Sequence, residues 1–298
     1  MRKNSSSDTA SVVALSVLFS ARDPSLSALV APGEEELVRK ILRDRASSGW
    51  CGFALKHPWA TRAVMRGERF LLGGIFAHYL ARKRRIEIEV RKEMKRGIRQ
   101  VVVLGAGYDT MAARYSVEFP ECRFFELDHP ATQPSKRAAV EGPANLQFVA
   151  IDLGVSLPAK VLADCAAFDA AQSALVVAEG LTMYLPEDRV AAMLRSSAEV
   201  AGLEGRVIFT FMERQGRGGL SFRGQSPLIG WWLRLRGEPF LWGARREELG
   251  TFLRDCGLTL DAVLDHRDLR AGVLIPAQVG HLPLAEGECI CLSHPSPL

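Results

Sequence analysis

Through the first third of the chain apolar residues recur at helical spacing, and just before residue 100 they change to short continuous runs. From Asp8 to about Gly97 the spacing predicts helices and offers no strong strand. Glu34 to Arg45 carries one apolar face, and Phe70 to Arg96 reads as one or two longer helices. The apolar stretch Val12 to Phe19 follows Arg2 and Lys3 as in a leader peptide, yet it is too short to span a membrane. Ser16 interrupts it and no small-residue cleavage pattern precedes Arg22, so it reads as an amphipathic N-terminal helix.

Val101-Val102-Val103-Leu104 is mostly β-branched and closed by Gly105, the form of a strand buried on both faces. Further runs follow at Arg123 to Leu127, Leu146 to Ile151, Ala174 to Ala178 and Arg206 to Phe211, with helix-length segments between them. Alternating strand and helix implies an α/β fold with a doubly wound, Rossmann-like parallel sheet. Periodicity is lost from Arg214 to Gly243, which is too long for an ordinary connection and reads as a functional insertion. It resumes with a helix at Arg245 to Cys256 closed by Gly257, then strands at Leu258 to Leu264 and Glu288 to Leu292.

Composition narrows the class. With 298 residues, 48% hydrophobic and 24% charged, the chain is ordinary globular protein, which excludes disordered and collagen-like classes. A formal charge of +4 is too mild to imply a nucleic-acid or membrane surface. Cysteines 51, 122, 165, 256, 289 and 291 form no C-x-x-C pair, which argues against a disulfide framework or zinc ribbon and for a reducing, cytoplasmic compartment. Cys289 and Cys291 share a strand face and read as small buried residues, so no metal is assigned.

Leu104 to Thr110 is a glycine-rich turn between a buried strand and a helix, where ligands bind in such sheets. Gly105, Ala106 and Gly107 let the backbone approach a ligand, and Asp128, ending the next strand, stands where an acid takes ribose hydroxyls. The dinucleotide fingerprint requires Gly or Ala at position 110, which is Thr110. The shorter signature points away from NAD and toward S-adenosylmethionine.

Gln100 through Thr110, followed by Phe125-Glu126-Leu127-Asp128-His129-Pro130, resembles the leucine carboxyl methyltransferase family, whose bacterial members include polyketide O-methyltransferases. The resemblance extends to Lys136-Arg137 and to Ala178 through Leu185, similar to the family's A-E-G-x-x-M-Y-L stretch. It implies a class I methyltransferase fold and S-adenosylmethionine-dependent transfer to oxygen. It further implies that Arg82 pairs with the methionine carboxylate, by a bidentate fork, and that Glu179 lies beside the ammonium. Gly105 and Gly107 would line the methionine and ribose, Asp128 the ribose, Asp152 the adenine amine and Leu153 the adenine face. Met111 stands where many bacterial members have arginine, and Glu87 where aspartate is frequent. The resulting partition is a helical region over 1–97 forming part of a cap, a cofactor core over 98–211, a substrate lid over 212–244 and the rest of the core over 245–298.

Each residue has a plainer reading. Arg82-Lys83-Arg84-Arg85 could be a solvated face, or part of a nucleic-acid-binding helix in a regulatory protein, although Glu87, Glu89 and Glu93 count against the latter. Asp152 could cap a turn, and Glu126, facing away from Leu127, could simply pair with a cation. Tyr184 and His129 are near enough to be bases, but packing and turn formation explain them equally, so no catalytic residue is assigned. In the insertion, Phe222, Trp231, Trp232, Phe240 and Trp242 alternate with Arg214, Arg217, Arg223, Arg234 and Arg236, which suits a lid on a flat or anionic acceptor. Trp231, Trp232 and Leu235 also suit one buried helix face. The partner expected is a small-molecule acceptor bearing a carboxyl or phenol, with no nucleic acid and no membrane; a protein C-terminal carboxylate is the alternative acceptor.

Overall fold

The computed structural model describes residues 8–43, 48–140, 142–214, 219–222 and 239–297. Helices α1 (Asp8–Ser20), α2 (Glu34–Ile41), α3 (Gly49–Lys56), α4 (Pro58–Leu71) and α5 (Ile75–Lys95) precede the first strand. Then β1 (Gln100–Leu104), α6 (Met111–Glu118), β2 (Arg123–Asp128), α7 (Gln133–Ala139), β3 (Leu146–Ala150), α8 (Pro158–Ala163), β4 (Ala174–Ala178), α9 (Glu187–Ala201) and β5 (Arg206–Glu213) alternate. The two-residue β6 (Gly243–Ala244), α10 (Arg246–Arg254), β7 (Leu258–Leu264), α11 (His266–Leu269) and β8 (Glu288–Pro295) complete the chain.

The sheet order is β3-β2-β1-β4-β5-β8-β7, with β6 paired to β5. β1 to β5 run parallel, whereas β8 lies antiparallel between β5 and β7. The expected all-parallel sheet is therefore corrected at one strand: a run of apolar residues encodes burial, and its direction is set by where the preceding connection delivers the chain. The antiparallel pairing sets Glu288, the first residue of β8, opposite Met212 near the end of β5, so β8 begins at the rim where the parallel strands finish.

Alternation along the strands builds two cores. Val101 and Val103 of β1 join Phe124, Leu175 and Val177 on one face, together with apolar residues of α1, α5 and α6. Val102 and Leu104 join Phe125, Leu127, Val176 and Phe209 on the other, against α9 and α10. Cys289 and Cys291 fall together in this second core.

Several local expectations change. The segment Phe70 to Arg96 is the end of α4 and then α5, broken where Gly73 and Gly74 take positive φ of 63° and 81°. The α2 helix stops at Ile41, and Arg45 lies outside the described residues. The α1 helix is not amphipathic: Ala14, Val17, Leu18 and Phe19 are buried, and so are Ser16 and Ser20, because α2, α4 and α5 pack around it. Among the described residues no helix is long and apolar enough to cross a membrane. The basic run Arg82 to Arg85 of α5 is not a solvated face. Arg82 and Lys83 are buried, Arg84 pairs with Glu34 and Glu87, Arg85 with Glu89, and Arg91 with Glu118.

The insertion departs from a row of lid aromatics. Trp242 belongs to the second core, 5.3 Å from the Phe252 ring, and Phe222 is buried beside His78 and Phe240. Arg214, partly exposed, donates through Nε to the Gly243 carbonyl beside the pairing of β6 with β5. Arg217, Arg223, Trp231, Trp232, Arg234, Leu235 and Arg236 lie outside the described residues.

Candidate active site

β1 is flanked by β2 on one side and β4 on the other, so the chain leaves β1 and β4 in diverging directions and opens a crevice at their ends. Gly105 takes the first turn with φ +64°, in the left-handed region, and a Cβ there would stand 2.9 Å from Cδ1 of Leu181 in the turn after β4. Both walls of the crevice thus meet at a residue with no side chain. The Gly105 N–H donates to the Leu127 carbonyl at 2.8 Å and the Gly107 N–H to Oδ2 of Asp128 at 2.9 Å, which ties the turn to β2.

Asp128 also accepts the His129 N–H through Oδ1 at 2.8 Å. Burial raises its carboxyl above the usual range, against the pull of these two backbone donors. Each oxygen keeps further acceptor capacity at the cavity, which is lined by the same residue. Asp152 is exposed; its Oδ1 accepts the Gly154 N–H at 2.9 Å, so it caps its turn as the plainer reading has it, and it lines the cavity as well. Leu153 beside it is buried and also lines the cavity.

Arg82, from the middle of α5, donates through Nε to Oε1 of Glu179 at 2.9 Å and through Nη1 to both oxygens of Glu288 at 2.7 and 2.5 Å. Its Nη2 lies 2.7 Å from Glu179 Oε1. The guanidinium expected to pair with a ligand carboxylate is held here by two protein carboxylates. Burial alone would weaken its charge, but Glu288 and Glu179 more than offset this and hold it above the usual arginine range. Lys83 donates to Oδ1 of Asp109 and lies 3.8 Å from Glu179. Burial would raise the Asp109 carboxyl, yet the Lys83 ammonium overrides it and holds the acid well below its usual range.

Arg82, Gly105, Ala106, Gly107, Asp128, Asp152, Leu153 and Glu179 all line one cavity of about 210 Å³, room for a small organic molecule and not for a folded partner. The lining also contains Glu34, Lys83, Asp109, His129 and Tyr184, which gives it five carboxylates against two permanent cations. Such a wall favours a cationic ligand and disfavours a pyrophosphate. Residue by residue reading of the sequence passed over Lys83, Asp109, Glu34 and Glu288. Asp109 was legible as part of the glycine turn, and Lys83 as the neighbour of Arg82. Glu288 had no local signal, since it reaches Arg82 from 206 positions away.

The profile of the leucine carboxyl methyltransferase family matches residues 20–198. The chain belongs to that family. Its sheet is a Rossmann-like α/β sheet, parallel but for β8. Among curated relatives, a protein of Mycobacteroides abscessus is 36% identical over 132 residues, 40% of this chain and 42% of that protein. A Streptomyces coelicolor protein is 36% identical over 124 residues, with the same coverages. Both bear the provisional name of S-adenosyl-L-methionine-dependent methyltransferase. The chain thus matches about two fifths of the length of these relatives. Among solved structures, a mitomycin 7-O-methyltransferase is 14% identical with a TM-score of 0.45, over 67% of this chain and 50% of that one. The magnesium protoporphyrin IX methyltransferase of Synechocystis PCC 6803 is 12% identical with a TM-score of 0.45, over 88% and 94%.

Two departures of this leucine carboxyl methyltransferase family member involve residues now placed in space. Glu87 ion-pairs with Arg114 and with Arg84, 3.0 Å away, and Met111 is buried at the start of α6. Neither Glu87 nor Arg114 lines the cavity.

Proposed function

We propose that the chain is an S-adenosylmethionine-dependent O-methyltransferase that methylates a carboxylate or phenolic hydroxyl of a small molecule of secondary metabolism. The observation carrying this reading is the Arg82–Glu179 ion pair on the wall of an acid-rich cavity. A guanidinium beside a carboxylate complements the two charges of an α-amino acid, and the surplus of carboxylates suits a ligand that also bears a positive sulfur.

The residues present fit that cofactor. Arg82 would take the methionine carboxylate and Glu179 the ammonium, each giving up part of its present contact with the other. Asp128 would accept from the ribose hydroxyls with the capacity its backbone bonds leave over, and the lack of a Cβ at Gly107 leaves the floor beside it open. Asp152 would accept from the adenine amine while Leu153 packs on the ring. When bound, the cofactor supplies a methyl carbon activated by a sulfonium sulfur.

The protein's part in such a displacement is to align the acceptor oxygen and to exclude water. A carboxylate acceptor, with a reference pKa of about 4, is already ionised at neutral pH and needs no base. A phenol, at about 10, would need one. His129 accepts the Ala131 N–H on Nδ1, so its neutral ring carries the hydrogen on Nε2, and we assign neither it nor Tyr184 as a base. We place the acceptor beside Pro239, Leu241 and helix α1. Pro239 and Leu241 line the cavity, the Leu241 N–H donates to the Met183 carbonyl at 2.7 Å, and α1 contributes Ala10, Val13, Ala14 and Val17 to the lining. Six free thiols suit the reducing cytoplasm.

The test is calorimetric titration with S-adenosylmethionine, followed by an assay of S-adenosylhomocysteine formation across small carboxylic acids, phenols and peptides. Binding with turnover of a small acid or phenol is the expected result. Turnover confined to peptide carboxylates would move the acceptor to the alternative class, and absence of cofactor binding would overturn the reading.

A further inference from the structure

The contacts of Arg82 are of two kinds. Glu179 lines the cavity, keeps 13% side-chain exposure and meets the guanidinium with one oxygen only. Glu288 is absent from the cavity lining, is 1% exposed, and uses both oxygens on Nη1. Behind it His78, one helical turn before Arg82 on α5, sets Nε2 at 2.9 Å from Glu288 Oε2. The Tyr79 ring lies 5.2 Å from the guanidinium carbon.

We propose that Glu288, backed by His78, is a positioning residue: it anchors Arg82 permanently from the sheet so that Glu179, the exchangeable partner, can turn to the amino-acid end of the bound cofactor. This rests on the cofactor reading above. Its physical basis is the single positive charge of Arg82. With one carboxylate, ligand binding would have to exchange the only ion pair of a buried guanidinium; with two, the inner pair holds it in place throughout. Direct attraction and hydrogen bonds from Arg82 and His78 outweigh the burial of Glu288 and hold its carboxyl at about 2, so it remains an anion at any working pH. Without Glu288 the guanidinium would draw on Glu179 alone and compete with the ligand ammonium.

The test compares two probes, S-adenosylmethionine and 5′-methylthioadenosine, the second lacking the amino-acid end. In Glu288→Gln, affinity for S-adenosylmethionine should fall about 10-fold or more while affinity for methylthioadenosine stays within about 2-fold, and His78→Asn should show the same pattern more weakly. General damage to the fold would lower both affinities together. Equal losses for both probes, or no loss for either, would overturn the proposal, whereas failure of the unaltered protein to bind either probe would overturn the cofactor reading instead. Independently of any ligand, the Arg82 Nη1–H resonances, which donate to Glu288, should be slow to exchange with water in the unaltered protein and exchange at least several-fold faster in Glu288→Gln; unchanged exchange counts against the anchor.

Discussion

The N–H of Gly107 donates to Oδ2 of Asp128 at 2.9 Å, so the glycine turn after β1 and the acid ending β2 form a single unit at the cavity floor. Replacing Asp128 by Ala removes both the anchor of the turn and the acceptor offered to a ribose. Affinity for S-adenosylmethionine should fall by about 1–3 kcal/mol, the range for charge-assisted hydrogen bonds, while Asp128→Asn loses less. Calorimetry on the three proteins decides it, and equal affinities would remove Asp128 from the site.

Gly105 takes φ +64° with its missing Cβ aimed at Leu181. Gly105→Ala should destabilise the protein by about 1–2 kcal/mol through backbone strain and the contact with Leu181. Adding Leu181→Ala should relieve the contact and leave the strain. Urea denaturation of single and double variants measures the split, and complete recovery in the double variant would refute the strain.

Glu126, read from the sequence as facing away from Leu127, is fully buried against Lys136 at 2.6 Å. A buried ion pair is dearest when halved: above pH 7, where Glu126 is charged, Lys136→Met alone should cost about 3–5 kcal/mol, whereas Glu126→Leu with Lys136→Met should cost far less. Denaturant unfolding tests this, and additive losses would show that the two charges do not support each other.

Protonation separates two buried carboxyls by sign. Glu288, held at about 2 against an ordinary 4.5, contributes stability that is complete above pH 4.5 and lost as pH falls toward 2, on the order of 3 kcal/mol in all. Glu126 runs the other way. Burial exceeds the attraction of Lys136 and pushes it to about 7, so its contribution declines as pH rises from 4.5 to 7, by up to about 1.4 kcal/mol per pH unit. Melting curves across pH should show a shallower decline between pH 5 and 7 in Glu126→Gln than in the unaltered protein, and identical slopes would reject the assignment.

Much of this was legible before any coordinates. The β-branched run Val101 to Val103 specified a doubly buried strand, and its alternation specified two faces, because strand side chains repeat every two residues whatever surrounds them. The eight candidate residues came from five separated stretches: four converge because a doubly wound sheet brings the ends of β1, β2, β3 and β4 to one rim, and Arg82 reaches the same cavity from α5.

What depended on the fold was charge pairing and direction. Arg82, Lys83 and Arg84 look identical to a solvated basic run, since their partners Glu288, Asp109 and Glu34 are remote in sequence or on other elements. Trp242 looked like a lid residue and is core, because the pairing of β6 with β5 turns it inward. Local pattern thus determined which segments are strand or helix and which strand faces are apolar, as these follow from backbone periodicity, whereas the all-round burial of α1 came from its neighbours. The tertiary structure decided that β8 runs antiparallel, bringing Glu288 to the functional rim, because strand direction and long-range ion pairs depend on how distant segments meet.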